Sequence, residues 1–520
     1  MNASSPFAVD WLMAHAARAP LAPCLGTPSG WLSYGEVAGR VRLAAALLAR
    51  QGVAAGERVM LALPNGPAAV VASLAVQSCG GCAVEVSREW GAEALRAIAE
   101  QTQARHAVIA GRDAALWAAI HAPFRRIWIV HPAPPPPRMC ELLAPAEWTW
   151  VGEDGAVEAG HAPAPSAVLD ADAPALLIYT SGSTGRRLGV VQTHRNIAAN
   201  TRSICEFLQL GPADRVLSIL PLYHCYGKSL LQTHLLAGGS VFFDHRFTYP
   251  RVVMEAMAQQ ACTGFAGVPL TFELLRRQGA ATDADFPALR YVTQAGGPMQ
   301  ADTVRWARAA FAPARLYVMY GQTEATARLS YLPPESAQAK EGSIGRGIAG
   351  VELRVLDEDG RECATGQVGQ LAARGDNVTQ GYYNDEEATR QILRHGWLWT
   401  GDLAYRDADG YFFITGRAKD ILKIRGHRIG AAEIEQCLCR HPDVSEAAVV
   451  GVPDAVEGES AAAFVVMRAG AEADENALRK FCREQGSAYA VPRTIRFEAV
   501  LPRTTTGKIA KGELKTKVLQ

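Results

Sequence analysis

The chain has 520 residues, 49% hydrophobic and 20% charged, the make-up of a globular protein with ample core and room for more than one domain. Its 52 basic and 52 acidic residues cancel, which argues against a broad nucleic-acid or anionic-membrane surface as the main partner. Eleven cysteines, an odd number without a disulfide rhythm, fit a reduced, cytoplasmic compartment, and Met1 to Pro20 has neither the basic start nor the unbroken apolar run of a secretory signal.

Asp10 to Ala17, Tyr34 to Gln51 and Ala68 to Ser78 carry helical apolar spacing. Val59 to Ala62, Ala107 to Ile109 and Ile127 to Val130 read as strands among them, an α/β alternation. The most apolar longer stretch, Val59 to Val86, is broken by Pro64, Asn65, Gly66 and Pro67, so it reads as a buried strand, a turn and a buried helix, not a membrane span. Within it, Cys79-Gly-Gly-Cys82 has redox-motif spacing, but its apolar setting reads as two buried structural thiols. Cys437 and Cys439, two apart on a helix, do not face each other, and no second Cys/His pair makes a zinc site with either set. Pro132 to Pro137 and Ala162 to Pro165 are surface connections, and no internal repeat is visible.

The alternation resumes with strand-like Val216 to Leu220, Ser240 to Phe243, Thr263 to Val268, Arg290 to Gln294 and Arg315 to Met319. From Gly342 to Phe413, short runs at Glu352 to Leu356, Gly369 to Ala373 and Tyr411 to Ile414 are separated by Gly/Asp turns and predict a small β-barrel or sheet. After Gly416 comes a basic segment and then mixed α and β, which places a domain boundary near Lys419. The expected domains are residues 1–418, with the barrel at about 340–416, and residues 419–520.

Tyr179 to Gly185 are seven consecutive glycine or hydroxyl-bearing residues fed by the apolar run Ala175 to Ile178. Little side-chain bulk lets backbone N–H groups close around phosphate oxygens, and the hydroxyls add donors. No Gly-Lys-Ser/Thr ends the loop, and a strand-like run, Gly189 to Gln192, follows it in place of a helix, so it is not a Walker loop. Tyr320-Gly-Gln-Thr-Glu324 follows a strand. A Glu beside a Thr there suits magnesium and a phosphate oxygen, and an aromatic offers a flat face to a base. Taken singly, each of these is a turn, and Asp402 and Arg417 are solvated charges.

Together, in this order with Thr400-Gly-Asp402, Gly416-Arg417 and Thr506-Gly-Lys508, they resemble the adenylate-forming superfamily of acyl-CoA synthetases, peptide-synthetase adenylation domains and luciferases, from Ala8 to Leu514. The resemblance implies an α/β fold: a large N-terminal domain of two α/β subdomains plus a β-barrel, and a small C-terminal α+β domain joined by a hinge, with the active site between the two domains. It implies that a carboxylate attacks the α-phosphate of Mg·ATP, giving acyl-AMP and pyrophosphate, and that the acyl group then passes to a thiol. The implied cofactors are ATP, Mg2+ and CoA, or the phosphopantetheine of a carrier protein. Thr180, Ser181, Gly182, Ser183, Thr184 and Gly185 match the loop that holds the β- and γ-phosphates, Tyr320 the aromatic against adenine, Thr323 a phosphate-contacting hydroxyl and Glu324 the magnesium ligand. Asp402 and Arg417 match the ribose contacts, and Lys419 the hinge, where a long polar side chain stays solvated in both domain positions. Gly426 matches the segment beside the thiol tunnel, and Glu433-Ile-Glu435 the start of the next helix. Lys508 matches the lysine that bridges carboxylate and α-phosphate, where a cation offsets crowded negative charge.

Pro221-Leu-Tyr-His-Cys-Tyr-Gly-Lys-Ser229 resembles the segment that lines the acyl pocket. His224 matches a gate between carboxylate and thiol. Cys225 stands where amino-acid-activating relatives carry an aspartate, which disfavours an α-amino acid substrate. Tyr226, Gly267, Gly296 and Gly297 match pocket walls, the glycines leaving room for a ring or alkyl chain. Lys228 either pairs with a second anionic group on the substrate or is a solvated lysine at a helix start. One departure stands out. The family loop continues Gly-x-Pro-Lys-Gly, and here it reads Gly185-Arg186-Arg187-Leu188-Gly189, so either arginine supplies the missing cation or the first half-reaction is weakened. The expected activity is an acid–thiol ligase making acyl- or aryl-CoA, the alternative a freestanding enzyme that loads a separate acyl carrier protein, since no carrier domain follows the Lys508 motif before Gln520. A non-catalytic nucleotide-binding relative is a remote alternative, supported by Leu188 alone.

Overall fold

The computed structural model describes residues 5–120, 124–131, 147–152, 168–181, 187–281, 286–424, 427–454, 458–468, 470–485, 491–503 and 509–519. The expected N-terminal helices form as Ala8–Arg18, Tyr34–Arg50 and Pro67–Ser78. Local chemistry fixes their starts. The Ser33 hydroxyl accepts the Glu36 N–H while the Glu36 carboxylate accepts the Ser33 N–H, a capping box, and Pro67 occupies a first-turn position where no N–H is needed.

Two mostly parallel sheets form the larger compact unit. In the seven-stranded sheet, Arg58–Ala62 lies between Cys82–Glu85 and His106–Ala110, all parallel; Pro174–Ser181 follows beside Cys82–Glu85, and Arg187–Thr193 closes the edge antiparallel. These strands are continuous apolar runs because both faces are covered, as in His106–Ala110, where every residue is buried. In the nine-stranded sheet, Arg215–Ser218, Gly264–Gly267, Tyr291–Gln294 and Arg315–Tyr320 run parallel side by side. One apolar core joins the sheets, with Val108 and Trp128 from the first, Val216 and Tyr317 from the second, and the helices Pro67–Ser78 and Cys225–Ala237 between them.

The larger unit comprises Met1–Ala337, Gly347–Glu352 and Arg374–Gly396, and the smaller Gln338–Arg346, Leu353–Ala373 and Trp397–Gln520. The smaller unit therefore contains most of the sheet expected at Gly342 to Phe413, whose strands run Glu352–Leu356, Gly369–Arg374, Trp397–Arg406 and Phe412–Arg417. It also holds a second sheet, in which the long antiparallel pair Val444–Asp454 and Gly458–Met467 packs under the helix Ala431–Cys439. The fold is α/β with a large N-terminal and a small C-terminal domain, as the sequence predicts.

Cys79 and Cys82 are buried free thiols, pushed by burial up to about 11 and about 12, in line with structural thiols. Among the described residues, no helix is long and apolar enough to cross a membrane.

Candidate active site

Parallel strands deliver their carboxyl ends, and the loops after them, to one edge of a sheet. At that edge Gly267 ends one strand opposite Gln294, and Gly296 and Gly297 follow the next. Tyr320 ends the neighbouring strand and leads into the short turn Thr323–Ala325. The helix Cys225–Ala237 starts against this group: the Thr323 hydroxyl lies 3.4 Å from the Cys225 sulfur, and the Tyr226 hydroxyl meets the Thr293 carbonyl at 3.0 Å. Pocket residues and loop residues almost a hundred positions apart in sequence are thus brought together.

The glycines differ in what they do. Gly296 has φ +89, a conformation that side chains rarely adopt. A Cβ on Gly267 would meet Thr271 and Phe272 at 2.9 Å, so its smallness serves the packing of the helix Pro269–Gln278, not open space for a substrate. A Cβ on Gly297 would make only an ordinary contact with Pro269.

Glu324 has a partner that the sequence reading missed. The Tyr382 hydroxyl donates to Glu324 Oε1 at 2.8 Å, and burial followed by the Glu324 charge pushes the phenol well above its usual range. The Glu324 carbonyl accepts from the Thr379 N–H at 2.8 Å, and Gln192 donates to the carbonyls of Thr323 and Thr326. The carboxylate is thereby held in place by a segment some sixty residues on. A Gly-Tyr-Tyr run after a sheet was the available signal, but nothing local marks it as a partner of Glu324. Glu324 and Thr323 offer hard oxygens, and among the described residues no group of three or more His, Cys, Asp or Glu is gathered for a metal. That donor set fits magnesium arriving with nucleotide phosphates, which takes only one or two protein carboxylates.

The Gly/Ser/Thr loop joins the antiparallel strands Pro174–Ser181 and Arg187–Thr193, in which Thr180 pairs with Leu188 and Ser181 with Arg187. Gly182, Ser183, Thr184, Gly185 and Arg186 lie outside the described residues. Arg187 stacks its guanidinium over Trp90, 4.1 Å from the ring centroid, and burial lowers its pKa. Trp90 meets Tyr223 edge-on at 6.2 Å, and Tyr223 meets His224 at 4.6 Å. An aromatic chain therefore connects the foot of the Gly/Ser/Thr loop to His224, at the N-cap position of the helix Cys225–Ala237.

Lys228 takes neither of its expected places. It is 3% exposed and pairs with Glu85 at 2.5 Å, while the Ser73 hydroxyl donates to the same carboxylate oxygen at 2.9 Å. The segment packs inward because the helix Cys225–Ala237 is buried on nearly all sides.

In the smaller unit, Asp402 and Arg417 sit directly opposite on antiparallel strands, with Nε 2.8 Å from Oδ1. Asp402 is buried at 4% exposure, so it is not the solvated charge that isolated sequence reading gives. Lys419 is exposed in the turn Ala418–Asp420, and its pKa is lowered first by partial desolvation and then by the Arg417 charge. An exposed side chain at this turn agrees with the solvated lysine expected there. Glu435 accepts the Val449 N–H at 2.7 Å and pairs with Lys511 at 2.8 Å, so it ties the helix to its sheet. Gly426 and Lys508 lie outside the described residues.

Residues 12–383 match the family model of the AMP-binding enzyme, and residues 433–508 that of the AMP-binding enzyme C-terminal domain. The chain is 35% identical to a sulfoacetate–CoA ligase of Cupriavidus necator over 99% of both chains. It is 32% identical to a feruloyl-CoA synthase of an Amycolatopsis species over 98% of both. Its fold is similar to that of ATP-bound MatB from Rhodopseudomonas palustris, with a TM-score of 0.86 at 28% identity and 98% coverage of each chain.

Proposed function

Because this chain belongs to the AMP-binding enzyme family and is an AMP-forming carboxylate–CoA ligase, we propose that the loop Tyr320 to Glu324 and the segment His224 to Tyr226 form its reaction site. The observation that carries this reading is the contact of Thr323 with Cys225, which sets the nucleotide-side loop against the acid-side helix start.

In the first half-reaction a carboxylate oxygen of the acid attacks the α-phosphorus of ATP, the bond to the bridging oxygen breaks, and pyrophosphate leaves. Tyr320 is assigned to the adenine face, Asp402 and Arg417 to the ribose hydroxyls, and Thr180 to Gly185 to the phosphates of the leaving group. Glu324, held by Tyr382, with Thr323 beside it would hold Mg2+, whose chemistry there is charge neutralisation on the phosphates. Lys508 is assigned to the charge that builds between the two oxyanions, the kind of contribution whose loss costs about 10²–10³-fold. In the second half-reaction the thiol sulfur attacks the acyl carbon, its proton passes to solvent, and AMP leaves. His224 is assigned to the gate between these steps, Gly426 to the thiol side, and Lys419 to the turn between residues 1–418 and 419–520. The ten free cysteines described suit a reducing, cytosolic setting.

Pyrophosphate exchange against a panel of acids tests the reading, with sulfoacetate, the acid in the name of the 35% identical relative, included beside aryl and alkyl acids. Exchange with at least one acid, followed by thioester formation with CoA, is the expected result. Exchange with none of them removes the site assignment, and thioester formation only with a phosphopantetheinylated carrier protein moves the acceptor to that class.

A further inference from the structure

Six charged residues are buried among those described: Glu85, Asp214, Lys228, Asp244, Arg328 and Asp402. Five have an opposite charge at hand. Glu85 and Lys228 hold each other, Asp214 holds Arg290, Asp244 holds Arg246, and Asp402 holds Arg417. Arg328, 3% exposed, has no carboxylate within 4.0 Å among the described residues. Its side chain donates to the Ala327 carbonyl at 3.1 Å and to the Met319 sulfur at 3.3 Å, a weak acceptor, and its guanidinium lies 4.1 Å from the Tyr226 ring centroid. A planar cation with five donors thus meets only neutral partners, the Ala327 carbonyl, the Met319 sulfur and the ring and hydroxyl of Tyr226, with no carboxylate beside it among the described residues.

Two asparagine side chains hold the main chain of Arg328 in place. The Arg328 N–H donates to Asn200, and its carbonyl accepts from both Asn200 and Asn377, at 3.2, 2.8 and 2.9 Å. Gly321 makes the approach possible, because a Cβ there would sit 2.0 Å from the Ala327 carbonyl oxygen. Burial lowers the guanidinium's pKa while Tyr226 and Cys225 oppose the shift, so the group lies within electrostatic reach of the proposed acid-binding residues. An uncompensated buried ion is costly, and a charge that arrives with a ligand removes the cost.

We propose that Arg328 is a specificity-determining residue for the acid substrate, and that the preferred acid carries a second anionic group, a sulfonate or a second carboxylate, which the guanidinium engages at the end away from the reacting carboxylate. The proposal rests on the site assigned to Thr323, Cys225 and Tyr226. A planar fork bonding two oxygens suits either group. The same cation disfavours an α-ammonium group, in line with Cys225 standing where an aspartate would be needed.

The test compares sulfoacetate with 3,3-dimethylbutyrate, its uncharged isostere at the far end, and succinate with butyrate. Wild-type enzyme is expected to favour the dianion in each pair in kcat/KM for pyrophosphate release. Arg328→Met should cut that ratio about 10²-fold, mainly through KM, and Arg328→Lys should restore part of it. A wild-type enzyme that activates the monoanions as well as the dianions overturns the proposal, as does an Arg328→Met that lowers both equally. Activation of no acid by the wild type is a failure of the ligase site itself. In that case calorimetric titration of sulfoacetate into the nucleotide-free wild type and Arg328→Lys still decides, with equal or absent binding counting against the residue. If Arg328→Met fails to fold, judged by circular dichroism, the Arg328→Lys ratio carries the test.

Discussion

Removing the amine of Lys228 should destabilise the larger unit far more than removal of a surface lysine. The Nζ lies 2.5 Å from Glu85 Oε1, the two side chains are 3% and 5% exposed, and they join the helix Cys225–Ala237 to the end of the strand Cys82–Glu85. Lys228→Met conserves most of the stem but strands the carboxylate in the core. Breaking such a pair from one side costs about 3–5 kcal/mol, against about 0–1 kcal/mol for an exposed pair. The Ser73 hydroxyl still donates to Glu85 at 2.9 Å, which places the expected loss toward the lower end. That is roughly a hundredfold or more in the folded-to-unfolded ratio. The double variant Lys228→Met/Glu85→Gln removes both charges, keeps an acceptor for Ser73, and should recover most of the loss. Equilibrium urea unfolding followed by tryptophan fluorescence reads both. A single variant within about 1 kcal/mol of wild type, or a double variant no better than the single, would refute the account of a buried pair.

Lys508→Ala should abolish pyrophosphate exchange yet leave thioester formation from supplied acyl-AMP, and equal loss of both steps would remove the lysine from the adenylation step. Among the described residues Arg187 has no carboxylate partner and stacks on Trp90, at the end of the loop proposed to hold the phosphates. Arg187→Leu should raise the KM for ATP by about tenfold, and an unchanged KM would shift the role of the missing lysine to Arg186 or to neither. His194 and His234 are buried, and burial lowers each to about 4 from 6.5. The unfolded chain therefore binds more protons between those values, so stability is full above about pH 6.5 and falls as the pH drops toward about 4, by up to about 1.4 kcal/mol per unit for each histidine. In the neutral ring of His234, Nδ1 faces the Leu230 carbonyl at 2.8 Å and Nε2 faces the Tyr291 hydroxyl at 3.2 Å. His234→Gln should flatten the stability slope between pH 6.5 and 5, and a slope unchanged by that substitution would sink the assignment.

Sequence alone determined most of the elements and the reaction class. The strands at Ser240–Phe243 and Glu352–Leu356 end where their apolar runs end, and the helix Pro67–Ser78 starts at its proline. These are local matters of period and backbone. Tertiary structure alone decided which charges have partners. Lys228 reads as a solvated or substrate-facing amine until Glu85, 143 positions away, is found beside it. Arg328 reads as an ordinary basic residue until its neighbours prove to be Tyr226 and Met319, with no acid beside it among the described residues. Glu324 owes its orientation to Tyr382, and Gly267 its lack of a side chain to Thr271 and Phe272. The reason is physical: the energy of a buried charge depends on the groups within a few ångströms of it, and folding draws those from remote stretches of chain that no spacing rule connects.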